Sequence, residues 1–162
     1  MERTAFLSFR FRRAEPADLT AILALDRTYS PVYAEKDSYA RLLDDKGLLL
    51  IAEDRGGLSA FAALHWVLDE ATLLNLVVAP VARGEGVAKE LLCIAIKHLR
   101  GASMRRILLE VRESNTAARR LYASFGFRED GRREGYYPGQ EHADREAAIL
   151  MSKTLDSQDT AL

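Results

Sequence analysis

One cysteine among 162 residues leaves no partner for an internal disulfide, and the three histidines, His65, His98 and His142, show no metal-ligand spacing. The chain is therefore expected to be free of metal. It also lacks an excess of charge of either sign: 23 Lys and Arg stand against 24 Asp and Glu, a formal net charge of -1. That balance removes the electrostatic ground for general nucleic-acid binding, so any basic partner has to be recognised locally. No apolar run approaches transmembrane length, and the opening MERTAFLSFRFRRAEP carries arginines without a continuous apolar stretch. Neither membrane insertion nor export is expected, and the chain reads as cytoplasmic. Repeats and low-complexity segments are missing too. What is present is 48% hydrophobic content in a length suited to one compact core. Residues 1–155 are expected to form a single domain, with 156–162 a tail that frays.

Periodicity supplies the elements. Phe9 to Arg13 alternates like a short strand, and EPADLTAILALDRTY starts a helix with Pro16 in its first turn and Leu19, Ile22, Leu23 and Asp26 at helical spacing. A break and a short helix follow in SPVYAEKDSYARLLDD. LLLIAE reads as a strand closed by the turn residues of Asp54 to Gly57, which point to a hairpin with LSAFAALHWVL and then a further strand, ATLLNLVV. Ala88, Leu91, Leu92, Ala95 and Leu99 recur at helical spacing, with Gly101 as the expected stop. RRILLEV is the next strand. The helix of SNTAARRLYASFGF carries Ala118, Leu121, Tyr122 and Phe125 on one stripe and ends at Gly126. FRED and REAAILMSKTL are the last strands expected.

Between an apolar strand and a helix lies VVAPVARGEGVAKELL. In Arg83-Gly84-Glu85-Gly86-Val87-Ala88 two glycines and a small residue let successive backbone N–H groups turn toward one point at a helix start, the arrangement of an anion site. The third glycine of a dinucleotide fingerprint is missing, as is the Gly-Lys-Ser/Thr ending of a P-loop, which argues against hydride transfer and nucleotide hydrolysis. Taken alone, the six residues favour an ordinary tight strand-to-helix turn over a binding site, since glycine also serves plain turns.

The longer pattern resembles the GNAT superfamily of acyl-CoA N-acyltransferases. Its hallmark Arg/Gln-x-x-Gly-x-Gly/Ala is matched by Arg83, Gly86 and Ala88, and DEATLLNLVV, LEVRESNTAARRLYASFGF and GYYPG look like its RimI-type branch, covering about Asp69 to Leu150. That branch acetylates the N-terminal alanine of a small-subunit ribosomal protein. The resemblance implies an α/β fold of the α+β type, with a mixed, mostly antiparallel sheet of six to seven strands flanked by about four helices. It implies acetyl-CoA as cosubstrate, its pyrophosphate held by Arg83, Gly84, Glu85, Gly86, Val87, Ala88 and Lys89. Free backbone of Leu76, Val77 and Val78 would pair with the pantetheine arm, and Asn115 would touch the cofactor. Asn115 is equally compatible with a plain helix N-cap.

Glu110 interrupts the apolar strand ILLEV on the face opposite Ile107, Leu109 and Val111. A solvated strand face explains it; so does a carboxylate that accepts a proton, through water, from a substrate amine, the role the resemblance implies. Tyr122 is either a core aromatic or, by the same resemblance, the phenol that protonates the departing CoA thiolate. No covalent intermediate is needed, because a thioester is already activated, and Cys93, placed within a helix, is expected to pack. His65 and Trp66 are expected to be core or cleft-wall residues. Asp69 and Glu70, with Glu134, Glu141, Asp144 and Glu146, are candidates to line a route for a basic peptide. Tyr136 and Tyr137 belong to a loop that the resemblance sets beside the peptide groove. The chain departs from the branch at Pro31-Val32, where a Pro-Trp pair is usual. The partner implied is a peptide or protein N-terminus, with small amines, lysine side chains and non-catalytic acyl-CoA sensing as competing readings.

Overall fold

The computed structural model describes residues 8–30, 35–139 and 144–155. In chain order these form β1 (Arg10–Arg13), α1 (Leu19–Tyr29), α2 (Lys36–Ala40), β2 (Gly47–Asp54), β3 (Gly57–Val67) and β4 (Glu70–Val78). The order continues with α3 (Val87–Gly101), β5 (Arg106–Arg112), α4 (Thr116–Ser124), β6 (Arg128–Tyr137) and β7 (Glu146–Thr154). Both expected terminal strands are present. The sheet runs β1-β2-β3-β4-β5-β7-β6, and the β4/β5 pair is parallel where β1/β2, β2/β3, β5/β7 and β6/β7 are antiparallel. Seven strands, mostly antiparallel, with four α-helices among the described residues are the architecture expected. Pro31 and Val32 lie outside the described residues.

The chain divides into two compact units, one made of Met1–His65 and Asn75–His98, the other of Trp66–Leu74 and Leu99–Leu162. The division passes through β3, β4 and α3.

In the first unit, Ile22, Leu23 and Leu25 of α1 pack with Tyr39, Leu49, Ile51, Phe61 and Val77. Tyr39 meets Phe61 edge-on at 5.4 Å between ring centres, a favoured geometry for aromatic pairs. A short 3-10 turn at Pro16–Asp18 leads into α1, where Asp18 accepts from the Glu15 backbone N–H at 2.7 Å and closes a capping box. Arg12 grips Asp18 with both terminal nitrogens, at 2.7 and 2.9 Å, and also reaches Glu53. These contacts hold the Asp18 and Glu53 carboxyls below their ordinary pKa, with hydrogen bonds from Arg12 the leading cause.

In the second unit β5 alternates as its sequence requires, burying Ile107, Leu109 and Val111 and leaving Glu110 on the other face. Gly126 ends α4 at φ +84°, and the Phe127 and Gly126 N–H groups bond back to Tyr122 and Ala123. That is a Schellman motif, and the Phe127 ring packs 5.7 Å from Tyr122. The helix α3 ends at Gly101, the expected stop. Beyond it Ser103 takes the left-handed position at φ +61°, its own N–H bonding to Arg100 and that of Met104 to Leu99.

Three expectations are corrected. The strand expected over FRED extends to Tyr137, along a charged run exposed at nearly every position. It is an edge strand that pairs only with β7 and is bulged between Glu129 and Gly131 and again between Arg133 and Tyr137. Tyr136 and Tyr137 are therefore strand residues rather than loop residues. Cys93 does not pack: it is exposed on the polar side of α3, while Leu91, Leu92 and Ala95 face inward. No described helix is long and apolar enough to cross a membrane.

Candidate active site

The glycine loop belongs to the first unit. Gly84 and Gly86 sit at φ +79° and +77°, a conformation that costs any residue with a Cβ. A Cβ built at either would meet nothing within 4 Å, so the glycines are required by backbone shape, and the space beside them is open. The Gly86 carbonyl accepts from Glu90 N–H at 3.0 Å, which opens the 15-residue α3 at Val87. The first N–H groups of such a helix lack intrahelical partners and carry the positive end of its dipole. The arrangement suits a pyrophosphate. Arg83 turns the other way: its Nε donates to the Val78 carbonyl at 3.1 Å and its guanidinium lies 6.0 Å from the Tyr29 ring centre.

The strand ahead of the loop has two sides. Ala79 N–H bonds to the Ser59 carbonyl of β3 at 2.8 Å, and Val77 shares that direction by alternation. Leu76 and Val78 therefore direct their N–H and C=O groups away from β3. The registered pairing of β4 with β5 covers Glu70–Leu73 against Arg106–Leu109.

The acid–base candidates belong to the second unit. Glu110 on β5 forms an ion pair with Arg133 of β6, Nη1 to Oε1 at 3.1 Å. A hydrogen bond with Glu110 holds the Tyr136 phenol above its ordinary pKa, and the Arg133 guanidinium lies 4.9 Å from the Tyr136 ring centre. Tyr137 is pushed up to about 12, first by burial and then by the negative charge of Glu110. Its ring stacks under Arg112 at 4.5 Å, and Arg112 in turn donates to Glu146 at 3.1 Å and to the Pro138 carbonyl. Tyr122 on α4 is 7% exposed, and burial, followed by the neighbouring Tyr137, raises its phenol pKa well above the ordinary value. Glu110, Tyr122, Tyr136 and Tyr137 are thus in one electrostatic neighbourhood.

The remaining candidates sit elsewhere. Glu70 stands opposite Arg106, four residues along β5 from Glu110, or roughly 13 Å at strand rise. It is 3.7 Å from Arg106, and Asp69 is 3.9 Å from Arg105. Asn115 caps α4, its side chain accepting from Ala118 N–H at 3.1 Å. Glu134 pairs with Arg132, and Glu146 accepts from Ser114 N–H. Glu141 lies outside the described residues. His65 and Trp66 are half-buried on β3. Among the described residues no cluster of His, Cys, Asp and Glu fit to hold a metal is present.

Sequence reading missed Arg112 and Arg133. The signal is in the register: Arg112 and Arg133 both face Ala148, and Glu110 and Gly131 both face Leu150. Only pairing across three strands puts these residues on one face.

A glycine-shaped loop at a helix start in the one unit, and in the other a carboxylate and a proton-retaining phenol, are the kinds of group an acyl-CoA-dependent transferase uses. The chain belongs to the acetyltransferase (GNAT) family, whose model matches residues 17–127. It is 40% identical over 121 residues to the [ribosomal protein bS18]-alanine N-acetyltransferase of Haemophilus ducreyi, covering 73% of this chain and 83% of the relative. Identity to the Escherichia coli enzyme of the same name is 37% over 139 residues, 85% of this chain and 92% of that one. The crystal structure of the ribosomal-protein-S18-alanine N-acetyltransferase from Escherichia coli superposes with a TM-score of 0.84 at 32% identity, covering 96% and 99% of the two chains.

Proposed function

We propose that this N-acetyltransferase moves the acetyl group of acetyl-CoA onto a protein N-terminal α-amine, the N-terminal alanine of a small-subunit ribosomal protein. The observation that carries the acceptor is the 37% identity, spread over 85% of the chain, to an enzyme named for that alanine. On this reading the loop from Arg83 to Lys89 takes the pyrophosphate, and the edge of β4 at Leu76 and Val78, rather than Val77, which faces β3, takes the pantetheine arm, with Asn115 at the cofactor. Tyr136 and Tyr137 wall the acceptor. Asp69 and Glu70 are placed as more distant contacts for a basic peptide. The reaction belongs to the cytoplasm and uses no metal.

In the reaction, the neutral amine nitrogen attacks the thioester carbonyl carbon, an N–C bond forms, and the C–S bond breaks. Glu110 receives the amine proton through water. The departing sulfur needs stabilisation as a thiolate. A thiol has a pKa of about 8.5 and an ordinary phenol about 10, so complete transfer from tyrosine to thiolate is already uphill by roughly 2 kcal/mol. Burial of Tyr122 raises that gap further. Its role is therefore to donate a hydrogen bond to the sulfur as charge develops, with the thiol's proton completed from solvent.

The demand on Glu110 also favours an α-amine. Near a pKa of about 8 an α-amine is roughly one-tenth neutral at pH 7, whereas a lysine near about 10.4 is neutral about once in 2,500, a difference of roughly 3 kcal/mol. The test is thiol release from acetyl-CoA with a panel of Ala-initiated peptides, N-blocked lysine peptides, polyamines and aminoglycosides. Turnover confined to the Ala-initiated peptides is expected; turnover confined to small amines contradicts the acceptor assignment and leaves the cofactor assignment standing.

A further inference from the structure

Among the described residues of the first unit one charged side chain is fully buried: Asp26 of α1, at 0% exposure. Taking a carboxylate out of water is expensive unless every lone pair is met, so its partners are part of its reason. The Tyr39 hydroxyl donates to Oδ2 at 2.8 Å, and Asn75 Nδ2 donates to Oδ1 at 2.8 Å. The same Nδ2 lies 3.2 Å from Ser30 Oγ and 3.2 Å from the Tyr39 oxygen. These contacts leave Asn75 one orientation. Its carbonyl Oδ1 faces the other way and accepts the Leu76 backbone N–H at 3.0 Å. Reversing the amide would set oxygen against the carboxylate and NH2 against an N–H, two repulsions in place of two bonds.

Asn75 thus joins a buried anion to the N–H of Leu76, which faces away from β3. Along that edge the Val78 carbonyl is held in the same manner, by a side chain, Arg83 Nε at 3.1 Å. Resting on the acetyl-CoA reading above, we propose that Asp26, Tyr39 and Asn75 are positioning residues for the pantetheine arm, fixing the edge of β4 at Leu76 before the ligand arrives. None of the three need touch the reacting atoms. Pre-alignment of one edge lowers the ordering cost of binding an extended, amide-bearing chain. Burial in the same cluster, with the Asp26 charge adding to it, raises the Tyr39 phenol pKa, so Tyr39 stays a donor through the neutral range.

The prediction concerns one part of the cofactor and leaves the other alone. Asn75→Ala and Tyr39→Phe should each raise KM and Kd for acetyl-CoA about tenfold, the worth of a well-made hydrogen bond, while kcat at saturation stays within about twofold. Calorimetry with 3′-phospho-ADP, which keeps the nucleotide and pyrophosphate and lacks the pantetheine arm, should give the same Kd as the parent protein. That unchanged affinity also certifies the fold. Parallel loss of both ligands in both variants would show that the cluster merely holds the unit together and would overturn the proposal. So would unchanged acetyl-CoA affinity with 3′-phospho-ADP binding retained, or tighter acetyl-CoA binding, which would make Asn75 a competitor for Leu76 N–H. A parent protein that binds no acetyl-CoA at all would instead sink the functional reading itself.

Discussion

Replacing Gly86 by alanine isolates the contribution of backbone shape to the anion loop. At φ +77° a Cβ costs about 1 to 2 kcal/mol, and because nothing lies within 4 Å of its position no clash adds to that figure. Two outcomes follow for the strained loop. If it keeps its shape, the cost appears as lost stability, about 2 to 8 °C in Tm for a domain of this size, and CoA affinity stays within about twofold. If it relaxes, Tm changes little, and binding must restore the strained form, so CoA affinity falls by about 5- to 30-fold. Between Tm and Kd the total has to come to the same 1 to 2 kcal/mol. Gly101→Ala is the control: this glycine has ordinary helical φ and open space, so alanine there should leave CoA binding alone and add about 0.5 to 1 kcal/mol of stability. Differential scanning fluorimetry and calorimetry on both variants decide it. A Gly86→Ala protein with parent-like Tm and parent-like CoA affinity would refute the argument that the positive φ shapes the site.

Other perturbations separate the roles. Glu110→Gln should lower kcat/KM about 10²- to 10⁴-fold with CoA affinity unchanged, most strongly at neutral and lower pH, where the amine holds its proton; steady-state rates across pH check this. Tyr122→Phe should reduce kcat with little effect on acetyl-CoA KM, because the phenol acts on the leaving sulfur; an unchanged kcat would return Tyr122 to the core. Asp18 has a folded pKa below its unfolded value of about 3.9, so its contribution is fully present above pH 4 and is lost as pH falls below that. Denaturation of Asp18→Asn against the parent should therefore show a gap at pH 6 that narrows below pH 4.

Where local pattern decided structure, the sequence was a good guide. The spacing of Leu91, Leu92, Ala95 and Leu99 located α3, and the lone Glu110 in ILLEV marked the face opposite the buried Ile107, Leu109 and Val111. Gly126 closed α4 as read. Failures occurred where distant pairing outweighed local signals. The charged run from Arg128 to Tyr137 is a strand because β7 offers it a bonded edge, and no alternation in its own residues announces that. Cys93 lies within a helix, where packing is expected, yet it falls on the solvent side of the stripe. Arg133 beside Glu110, and Asn75 between Asp26 and Leu76, depend on partners 23 and 49 residues away, a separation that no window along the chain spans.

The central claim is transfer of acetyl from acetyl-CoA to a protein α-amine. Mass spectrometry of an Ala-initiated peptide with internal lysines, incubated with the protein and acetyl-CoA, tests it most directly, because fragmentation assigns the added acetyl to one nitrogen. A single acetyl on the N-terminal alanine, lost with Glu110→Gln, is the result predicted. Acetyl on the lysines, or an untouched peptide while small amines are consumed, would contradict it.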